Sequence, residues 1–291
     1  MMKRPSRARE LTVQIPADKD AGLPEGAKVT VATFGYGKRP MVIVPGLSLR
    51  AVKGAALPLS LSYRRFVLSH TVYVIDRPDP LPDPCTVENL GHALAATMRQ
   101  LGIADADVLG VSQGGMISQC LAINDPDLIH RLVLAVTACE PTPEMHEAIG
   151  AWIGFAETGS TNMLIRDSFA RVYSDAYVRR YRWALPLASK LVGLIPLKRF
   201  IALAKACLTT GTSDRLSRIM APVLVIGGAK DKVVGPAASP LLAAKLGCDS
   251  YIYENLGHSV YDEARDFNER ALAFFTAPDP SPAAEEGAQN A

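Results

Sequence analysis

The sequence predicts an α/β protein with a mostly parallel, doubly wound sheet and an inserted helical cap. Short apolar runs, which are typical of strands buried on both faces, alternate with amphipathic helical patterns along most of the chain. This alternation stops after Val136, and residues 138–215 contain helical patterns without a convincing strand. A chain of 291 residues is long enough for one large sheet domain that carries such an insertion.

Composition excludes several classes of function. Hydrophobic residues make up 48% of the chain and charged residues 21%, which is typical of a soluble globular protein. The formal net charge of +2 gives no indication of a nucleic-acid partner. No apolar run reaches the length of about 18 residues that predicts a membrane span. Residues 1–10 are basic but lack the apolar region of a secretory signal.

The cysteines indicate a reducing compartment. They are odd in number and widely spaced, at Cys85, Cys120, Cys139, Cys207 and Cys248. No two of them have the spacing of a zinc or redox site, and the histidines are equally dispersed. We therefore expect reduced thiols, no metal and a cytoplasmic location. The oligomeric state stays open, a homo-oligomer included.

Eight runs are predicted to be strands. Residues 11–15 and 28–32 alternate in polarity and flank a loop rich in Pro, Asp and Gly, which predicts an antiparallel hairpin. The buried members of the sheet are 41–44, 72–75, 108–109, 132–136 and 223–226, and 251–253 is expected near an edge. Helices are predicted at 58–69, 87–101, 114–124, 237–246 and 260–275.

The insertion contains four further helical patterns, at 142–156, 161–173, 175–193 and 197–209. We expect residues 10–137 and 216–277 to form the sheet core and residues 138–215 to form the helical cap. The first nine residues are expected to be frayed, and the tail 278–291, rich in Pro, Ala and Glu, is expected to be disordered.

A serine stands where one strand is predicted to turn sharply into a helix. The segment Gly110-Val111-Ser112-Gln113-Gly114 follows the buried run 108–109 and precedes an apolar helical pattern. Such a turn holds the serine in a strained conformation and exposes its hydroxyl, while the two glycines allow the backbones to approach. This segment resembles the Gly-x-Ser-x-Gly elbow of the α/β-hydrolase family. The resemblance implies a nucleophilic Ser112, followed along the chain by an acid and then a histidine.

His258 and Asp231 fit the remaining positions of that pattern. His258 follows Gly257 in a loop between the last predicted strand and the last helix, where the family places its base. Asp231 follows the strand at 223–226, where the family places its acid; some members place the acid one strand earlier, which leaves Glu140 as the alternative. Ser259 with Asp262 also resembles a capping box for the final helix.

Two backbone N–H groups are expected to hold the oxyanion that forms during acyl transfer. Gln113 lies directly after the nucleophile at a helix N-terminus, where the helix dipole favours an anion. By resemblance, Leu47 in the loop after strand 41–44 supplies the second group. Ser48 either contributes a hydroxyl or caps the next segment.

The cap is expected to roof a pocket above Ser112, and Trp152 and Trp183 are candidates for substrate contact. Neither Gly-Gly pair forms a dinucleotide fingerprint or a phosphate loop, so we predict no cofactor. The function expected is that of a serine hydrolase acting on a small, mostly apolar ester or lactone through an acyl-enzyme.

Three alternatives stay open at this point. The run Gly110 to Met116 resembles acetyltransferases of the same fold, whose elbow ends in Gly-Gly-Met. Hydrolysis of a carbon–carbon bond uses the same three residues. A ligand receptor that keeps the fold with negligible turnover is the third. Haloalkane dehalogenation is disfavoured because it needs a carboxylate where Ser112 stands.

Overall fold

The computed structural model describes residues 8–181, 183 and 196–278. Three predictions lie wholly or largely outside these residues: the fraying of the N-terminus, the disorder of the tail, and the part of the 175–193 helix after Tyr181. The division into core and cap stays a prediction.

Eight strands form one sheet, which confirms the predicted α/β class. They are β1 (Arg9–Gln14), β2 (Lys28–Gly35), β3 (Arg39–Val44), β4 (His70–Ile75), β5 (Ala106–Val111), β6 (Ile129–Ala135), β7 (Val223–Gly228) and β8 (Asp249–Tyr253). The spatial order is β1-β2-β4-β3-β5-β6-β7-β8. β2 pairs antiparallel with both β1 and β4, and every other pairing is parallel. The predicted hairpin and the edge position of the last strand are both confirmed.

Ten α-helices are described between and after these strands. They are α1 (Ala56–Ser62), α2 (Val87–Gln100), α3 (Gln113–Asn124), α4 (Pro143–Glu157), α5 (Thr161–Val172), α6 (Asp175–Tyr181), α7 (Leu197–Cys207), α8 (Ala238–Leu246), α9 (Val260–Glu263) and α10 (Phe267–Phe275). Short 3-10 turns occupy Pro126–Leu128 and Leu216–Arg218. Helices α4 to α7 lie between β6 and β7 in the chain and are called the inserted helices below.

Apolar side chains fill both faces of the sheet. One cluster joins the sheet to α2, α3 and α8 and continues into the inserted helices through residues such as Trp152 and Phe200. The second cluster covers the opposite face with Phe66 of the α1–β4 connection and Phe267 of α10. Because each central strand is covered on both sides, its sequence is a continuous apolar run rather than an alternating one.

Two predicted helices are shorter than expected. The helix predicted at 58–69 ends at Ser62, because the fully buried Phe66 returns the chain toward the sheet and leaves Leu68 83% exposed. The helix predicted at 260–275 is broken between Glu263 and Phe267, where Ala264 adopts an extended conformation. This break allows Val260 and Phe267 to be buried together.

The register of the parallel strands brings several loops to one edge of the sheet. Val44 of β3 lies opposite Gly110 of β5, and Val111 lies opposite Ala135 of β6. Gly228 of β7 lies opposite Tyr253 of β8. The segments that follow β3, β5, β7 and β8 therefore leave the sheet at the same edge, as loops at the carboxyl ends of parallel strands do.

Candidate active site

Ser112 occupies the turn between β5 and α3 with a backbone conformation that side chains rarely adopt. Its φ is 52° and its ψ is −120°. A Cβ at Gly114 would collide with the carbonyl oxygen of Val44, and one at Gly110 would lie 2.7 Å from the Cα of Gly115. The two glycines of the motif are therefore needed so that β3, β5 and α3 can pass one another closely.

The structure brings the three sequence-predicted residues into one hydrogen-bonded chain. His258 Nε2 lies 2.9 Å from Ser112 Oγ, and His258 Nδ1 lies 2.8 Å from Asp231 Oδ2. Asp231 and His258 are both buried. The geometry suits a hydroxyl that gives its proton to Nε2 while the carboxylate accepts the Nδ1 hydrogen and fixes the tautomer.

Asp231 is oriented by the loop that contains it. The backbone N–H groups of Val233 and Val234 donate to Oδ1 at 2.8 and 3.0 Å, so both carboxylate oxygens have partners. The neighbouring lysines bond elsewhere: Lys230 donates to Asn255 and Lys232 donates to Asp175.

Glu140, the alternative acid, lies apart from the imidazole of His258. Its carboxylate is 44% exposed and pairs with Lys245 at 3.8 Å. Among the described residues, Asp231 is therefore the carboxylate that contacts His258.

The capping box predicted at Ser259 is wrong. The side chain of Ser259 makes no capping bond to the backbone and donates instead to Glu263 Oε1 at 2.5 Å. Asp262 accepts from the hydroxyl of Tyr173 at 2.9 Å. Glu263 also accepts from the backbone N–H and the hydroxyl of Ser174, so both acidic residues of α9 contact the segment around the junction of α5 and α6.

The loop after β3 approaches the serine closely. A Cβ placed at Gly46 would lie 3.2 Å from the Cβ of Ser112, so the backbone next to Leu47 passes directly over the hydroxyl. Neither the Leu47 nor the Gln113 backbone N–H makes a hydrogen bond with another described residue. Ser48 Oγ accepts from Arg50 N at 2.9 Å, which assigns its hydroxyl to the turn.

A buried arginine, which the sequence did not reveal, joins the two segments that contain Leu47 and Gln113. Arg77 Nη2 donates to the carbonyl oxygen of Pro45 at 2.5 Å and to Oε1 of Gln113 at 3.0 Å. The amide nitrogen of Gln113 in turn donates to the carbonyl oxygen of Leu203 in α7. Burial lowers the pKa of the Arg77 guanidinium from its ordinary value. The residues around the serine are therefore connected to the inserted helices by side-chain hydrogen bonds.

Two neighbouring cavities lie at the site, and the smaller one contains the serine. The small chamber has a volume of about 100 Å³ and contains both Ser112 and His258; its other described walls are Gly46, Leu47, Met116, Met145, Ile149, Trp152, Val172, Cys207, Val233, Val234 and Tyr261. The large chamber has a volume of about 470 Å³ and is lined by residues 47–50, by Phe200, by Trp152 and by side chains of α5 and α6. Leu47, Trp152 and Val172 belong to both chambers and form the wall between them.

The two candidate tryptophans have different positions. Trp152 is 5% exposed and lines both chambers, whereas Trp183 is 74% exposed and lines neither of them. Tyr173, Tyr177 and Tyr181 line the large chamber and were not singled out from the sequence. Their spacing of four residues is the signal that could have indicated a common face.

Cys207 and Tyr261 are the other titratable groups in the small chamber besides His258. Burial raises the pKa of the Cys207 thiol to about 12, which favours the protonated thiol. Burial also raises the pKa of the Tyr261 hydroxyl well above its ordinary value.

The described residues contain neither a metal-binding cluster nor a membrane-spanning helix. Within residues 8–181, 183 and 196–278 there is no cluster of three His, Cys, Asp or Glu side chains suited to a metal ion. No helix in the same part of the chain is long and apolar enough to cross a membrane.

The chain is similar to known proteins over most of its length. A family model described as the alpha/beta hydrolase family matches residues 41–270. The putative carbamate hydrolase RutD of Caulobacter segnis is 26% identical over 57% of this chain, and the match spans only 62% of that relative's length. The 3-oxoadipate enol-lactonase 2 of Acinetobacter baylyi is 24% identical over 82% of this chain and 87% of its own.

A solved structure has the same fold. MGS-M2, an alpha/beta hydrolase enzyme from a Medee basin deep-sea metagenome library, superposes with a TM-score of 0.76 at 22% identity. The superposition covers 89% of this chain and 98% of that one.

Proposed function

Because the chain belongs to the alpha/beta hydrolase family, we propose that it is a serine hydrolase that cleaves a small, mostly apolar carboxylic ester or lactone. The observation that carries the proposal is the unbroken hydrogen-bonded chain from Ser112 Oγ through His258 to Asp231. A serine hydroxyl is a weak nucleophile at neutral pH, and this arrangement supplies the base that activates it.

In the proposed reaction, Ser112 Oγ attacks the substrate carbonyl carbon and His258 Nε2 takes the hydroxyl proton. Asp231 holds the imidazole in the correct tautomer and stabilises the imidazolium that forms. The N–H groups of Leu47 and Gln113 donate to the oxyanion, and together two such donors contribute several kcal/mol. The imidazolium then protonates the departing alkoxide, which leaves an acyl group on Ser112.

The second half of the reaction regenerates the serine. A water molecule, deprotonated by His258, attacks the acyl carbon, and the bond between that carbon and Ser112 Oγ breaks. The proton returns through His258 to the serine oxygen, and the carboxylic acid is released. For a lactone, the alkoxide and the acyl group belong to one molecule, so a single hydroxy acid is the product.

Three observations support the substrate class. The described walls of the small chamber are apolar apart from Ser112, His258, Tyr261 and the thiol of Cys207. One relative is described as an enol-lactonase, whose substrate is a cyclic ester, and another as a putative carbamate hydrolase. We further propose a cytoplasmic location, since all five cysteines are free thiols.

The direct test is labelling with a fluorophosphonate, which reacts with activated serines. The wild-type protein should be labelled at Ser112 and should hydrolyse small esters, and Ser112→Ala should lose both properties. Ser60→Ala is the matched control, because the Ser60 hydroxyl is exposed in α1 and donates only to Leu57 O. Undiminished ester hydrolysis by Ser112→Ala would contradict the proposal. Product partition between water and added alcohols distinguishes hydrolysis from acyl transfer.

A further inference from the structure

The two chambers beside Ser112 differ in size and in wall chemistry. The large chamber has more than four times the volume of the small one. Six of its thirteen described lining residues are aromatic, and Arg50, the one charged residue among them, is exposed. The small chamber has no lysine, arginine, aspartate or glutamate among its described lining residues. A charged group in the small chamber would be buried without a partner, which is strongly unfavourable.

The wall between the chambers is held in place. Trp152 Nε1 donates to Asp167 Oδ2 at 2.8 Å, and Arg171 Nε donates to the same oxygen at 2.9 Å. These bonds fix the plane of a buried indole between the two cavities. A substrate that binds at Ser112 therefore meets two compartments of set size rather than one adjustable pocket.

The rings of the large chamber form a continuous row. Phe169 and Tyr173 have centroids 4.9 Å apart, and Tyr173 stacks on Tyr177 at 4.5 Å with only 15° between the planes. Tyr177 and Tyr181 follow at 4.4 Å. The row is anchored at Tyr173, whose hydroxyl donates to Asp262 in α9. Because the faces of Tyr177 pack against Tyr173 and Tyr181, the row offers ring edges to a ligand, and such edges favour contact with the face of a planar aromatic group.

Ser112 lines the small chamber and not the large one. In the acyl-enzyme the acyl group is covalently attached to Ser112 Oγ, so it occupies the small chamber until water attacks. The alcohol half has no such attachment and leaves in the first step. The volume of the small chamber, about 100 Å³, therefore limits the acyl half to a short chain.

We propose, building on the ester hydrolase activity proposed above, that the substrates are short-chain acyl esters of planar aromatic alcohols. The acyl group lies in the small chamber, and the aromatic alcohol lies against the tyrosine row of the large chamber. Ser112 Oγ forms the new bond to the acyl carbon, the bond from that carbon to the aryl oxygen breaks, and His258 delivers the proton to the departing aryl oxygen.

Three esters test the assignment: 2-naphthyl acetate, 2-naphthyl octanoate and methyl 2-naphthoate. Each kcat/KM is divided by the rate constant for hydroxide-catalysed hydrolysis, which removes differences in intrinsic reactivity. We expect the normalised value for 2-naphthyl acetate to exceed the other two by about tenfold or more. A normalised kcat/KM for methyl 2-naphthoate that equals or exceeds the value for 2-naphthyl acetate would contradict the assignment of the two halves. A normalised kcat/KM for 2-naphthyl octanoate equal to that of the acetate would contradict the limit on acyl length.

Variants separate the two chambers. Tyr177→Ala should lower kcat/KM for 2-naphthyl acetate by about tenfold, because the central ring of the aromatic row is lost, and should leave kcat/KM for ethyl acetate within about twofold. Met145→Ala, which enlarges the small chamber, should raise the ratio of octanoate to acetate turnover. Tyr251→Ala is the control, because Tyr251 lies on the edge strand β8 and contacts Arg270 rather than either chamber.

The outcomes distinguish this inference from the proposed function. If Ser112 is labelled by the fluorophosphonate and ethyl acetate is hydrolysed, but Tyr177→Ala affects all esters alike, the two-chamber assignment is wrong and the hydrolase proposal stands. If Ser112 is neither labelled nor needed for turnover, the hydrolase proposal itself is wrong. Thermal melting of each variant shows whether it is folded.

Discussion

At the scale of single residues, the acid of the proposed reaction has a sharp test. Replacement of Asp231 by Asn keeps an oxygen for the N–H groups of Val233 and Val234 but turns an amide NH₂ toward His258. The imidazole then takes the wrong tautomer, and we expect kcat for ester hydrolysis to fall by about 10⁴ with little change in melting temperature.

Glu140→Gln is the control for this prediction. Glu140 pairs with Lys245 at the surface, so kcat should stay within about twofold of the wild-type value. A large loss of activity in Glu140→Gln together with an active Asp231→Asn would assign the acid to the alternative position.

Arg77 is expected to act as a positioning residue. Its guanidinium holds the Pro45 carbonyl and the Gln113 side chain, and so fixes the distance between the two proposed oxyanion donors. Arg77→Gln should lower kcat by about 10- to 100-fold while KM changes little, because misplaced donors weaken the transition state more than the ground state. Arg77→Lys should recover part of the loss.

The control for Arg77 is Arg39→Gln, which removes an exposed pair with Asp105. A rise in KM at unchanged kcat in Arg77→Gln would indicate instead that Arg77 shapes the substrate pocket.

At the scale of elements, one ion pair connects α2 to the segment that follows the inserted helices. Arg215 donates to both oxygens of Glu88, the closer at 2.8 Å, and Asn124 of α3 donates to Glu88 as well. Chiefly through the hydrogen bond from Arg215, the pKa of Glu88 is lowered from 4.5 to about 2.

A lowered pKa in the folded state means that the pair stabilises the protein above the ordinary pKa of the carboxyl. The contribution is lost as the pH falls through the folded-state value. Wild-type protein should therefore melt above Glu88→Gln at about pH 6, and the difference should shrink below about pH 4.5 and vanish near about pH 2. A difference in melting temperature that does not depend on pH would contradict this account.

Glu157→Gln provides the comparison for Glu88. Glu157 forms a pair with Lys205 in which both side chains are more than half exposed. Such pairs contribute little to stability, so this variant should melt close to the wild-type protein throughout the pH range.

At the scale of the whole molecule, the two edges of the sheet have different tasks. The carboxyl ends of the strands carry the proposed chemistry, whereas a buried polar cluster lies near the amino ends. Asp107 of β5 accepts from His70 Nε2 and from His130 Nδ1, both at 2.9 Å, and Ser69 bonds the other nitrogen of His70. This cluster joins β5 to its neighbour β6 and, past β3, to β4.

Asp107→Asn should therefore affect stability without affecting chemistry. One hydrogen-bond acceptor is lost in a site that is fully buried, so the free energy of unfolding should fall by about 2–4 kcal/mol. The folded fraction should keep its kcat for ester hydrolysis. Chemical denaturation measures the free energy of unfolding. Asp105→Asn, which alters an exposed ion pair, is the control. A loss of kcat in the folded variant would show that the two edges are coupled.

The parts of the fold that follow from local pattern were predictable. Runs such as Met41–Val44 are apolar throughout because their strands are buried on both faces, and the sharp turn at Ser112 needs glycines at fixed offsets. The resemblance to the α/β-hydrolase family implied the pairing of Ser112 with Asp231 and His258, because their order along the chain and their places after strands match that family's pattern.

Features that depend on contacts between distant segments were not predictable. Arg77 meets Gln113 across 36 positions, and Gln113 meets Leu203 across 90, so no local pattern marks either contact. At the break in the final helix, Glu263 accepts from Ser259 and from Ser174 of the α5–α6 junction. The apolar helical periodicity of the sequence runs through residues 260–275 without interruption. That periodicity carries no information about hydrogen bonds such as those of Glu263.

The conformation of Ser112 has a consequence for the chain as a whole. A positive φ at a residue with a side chain is unfavourable by about 1–3 kcal/mol, whereas glycine adopts it freely. Glycine at position 112 should therefore stabilise the fold. Ser112→Gly would relieve the backbone strain and remove the hydroxyl at the same time. Thermal stability and the proposed acyl chemistry therefore make opposite demands on position 112, and serine is the residue that serves the proposed chemistry.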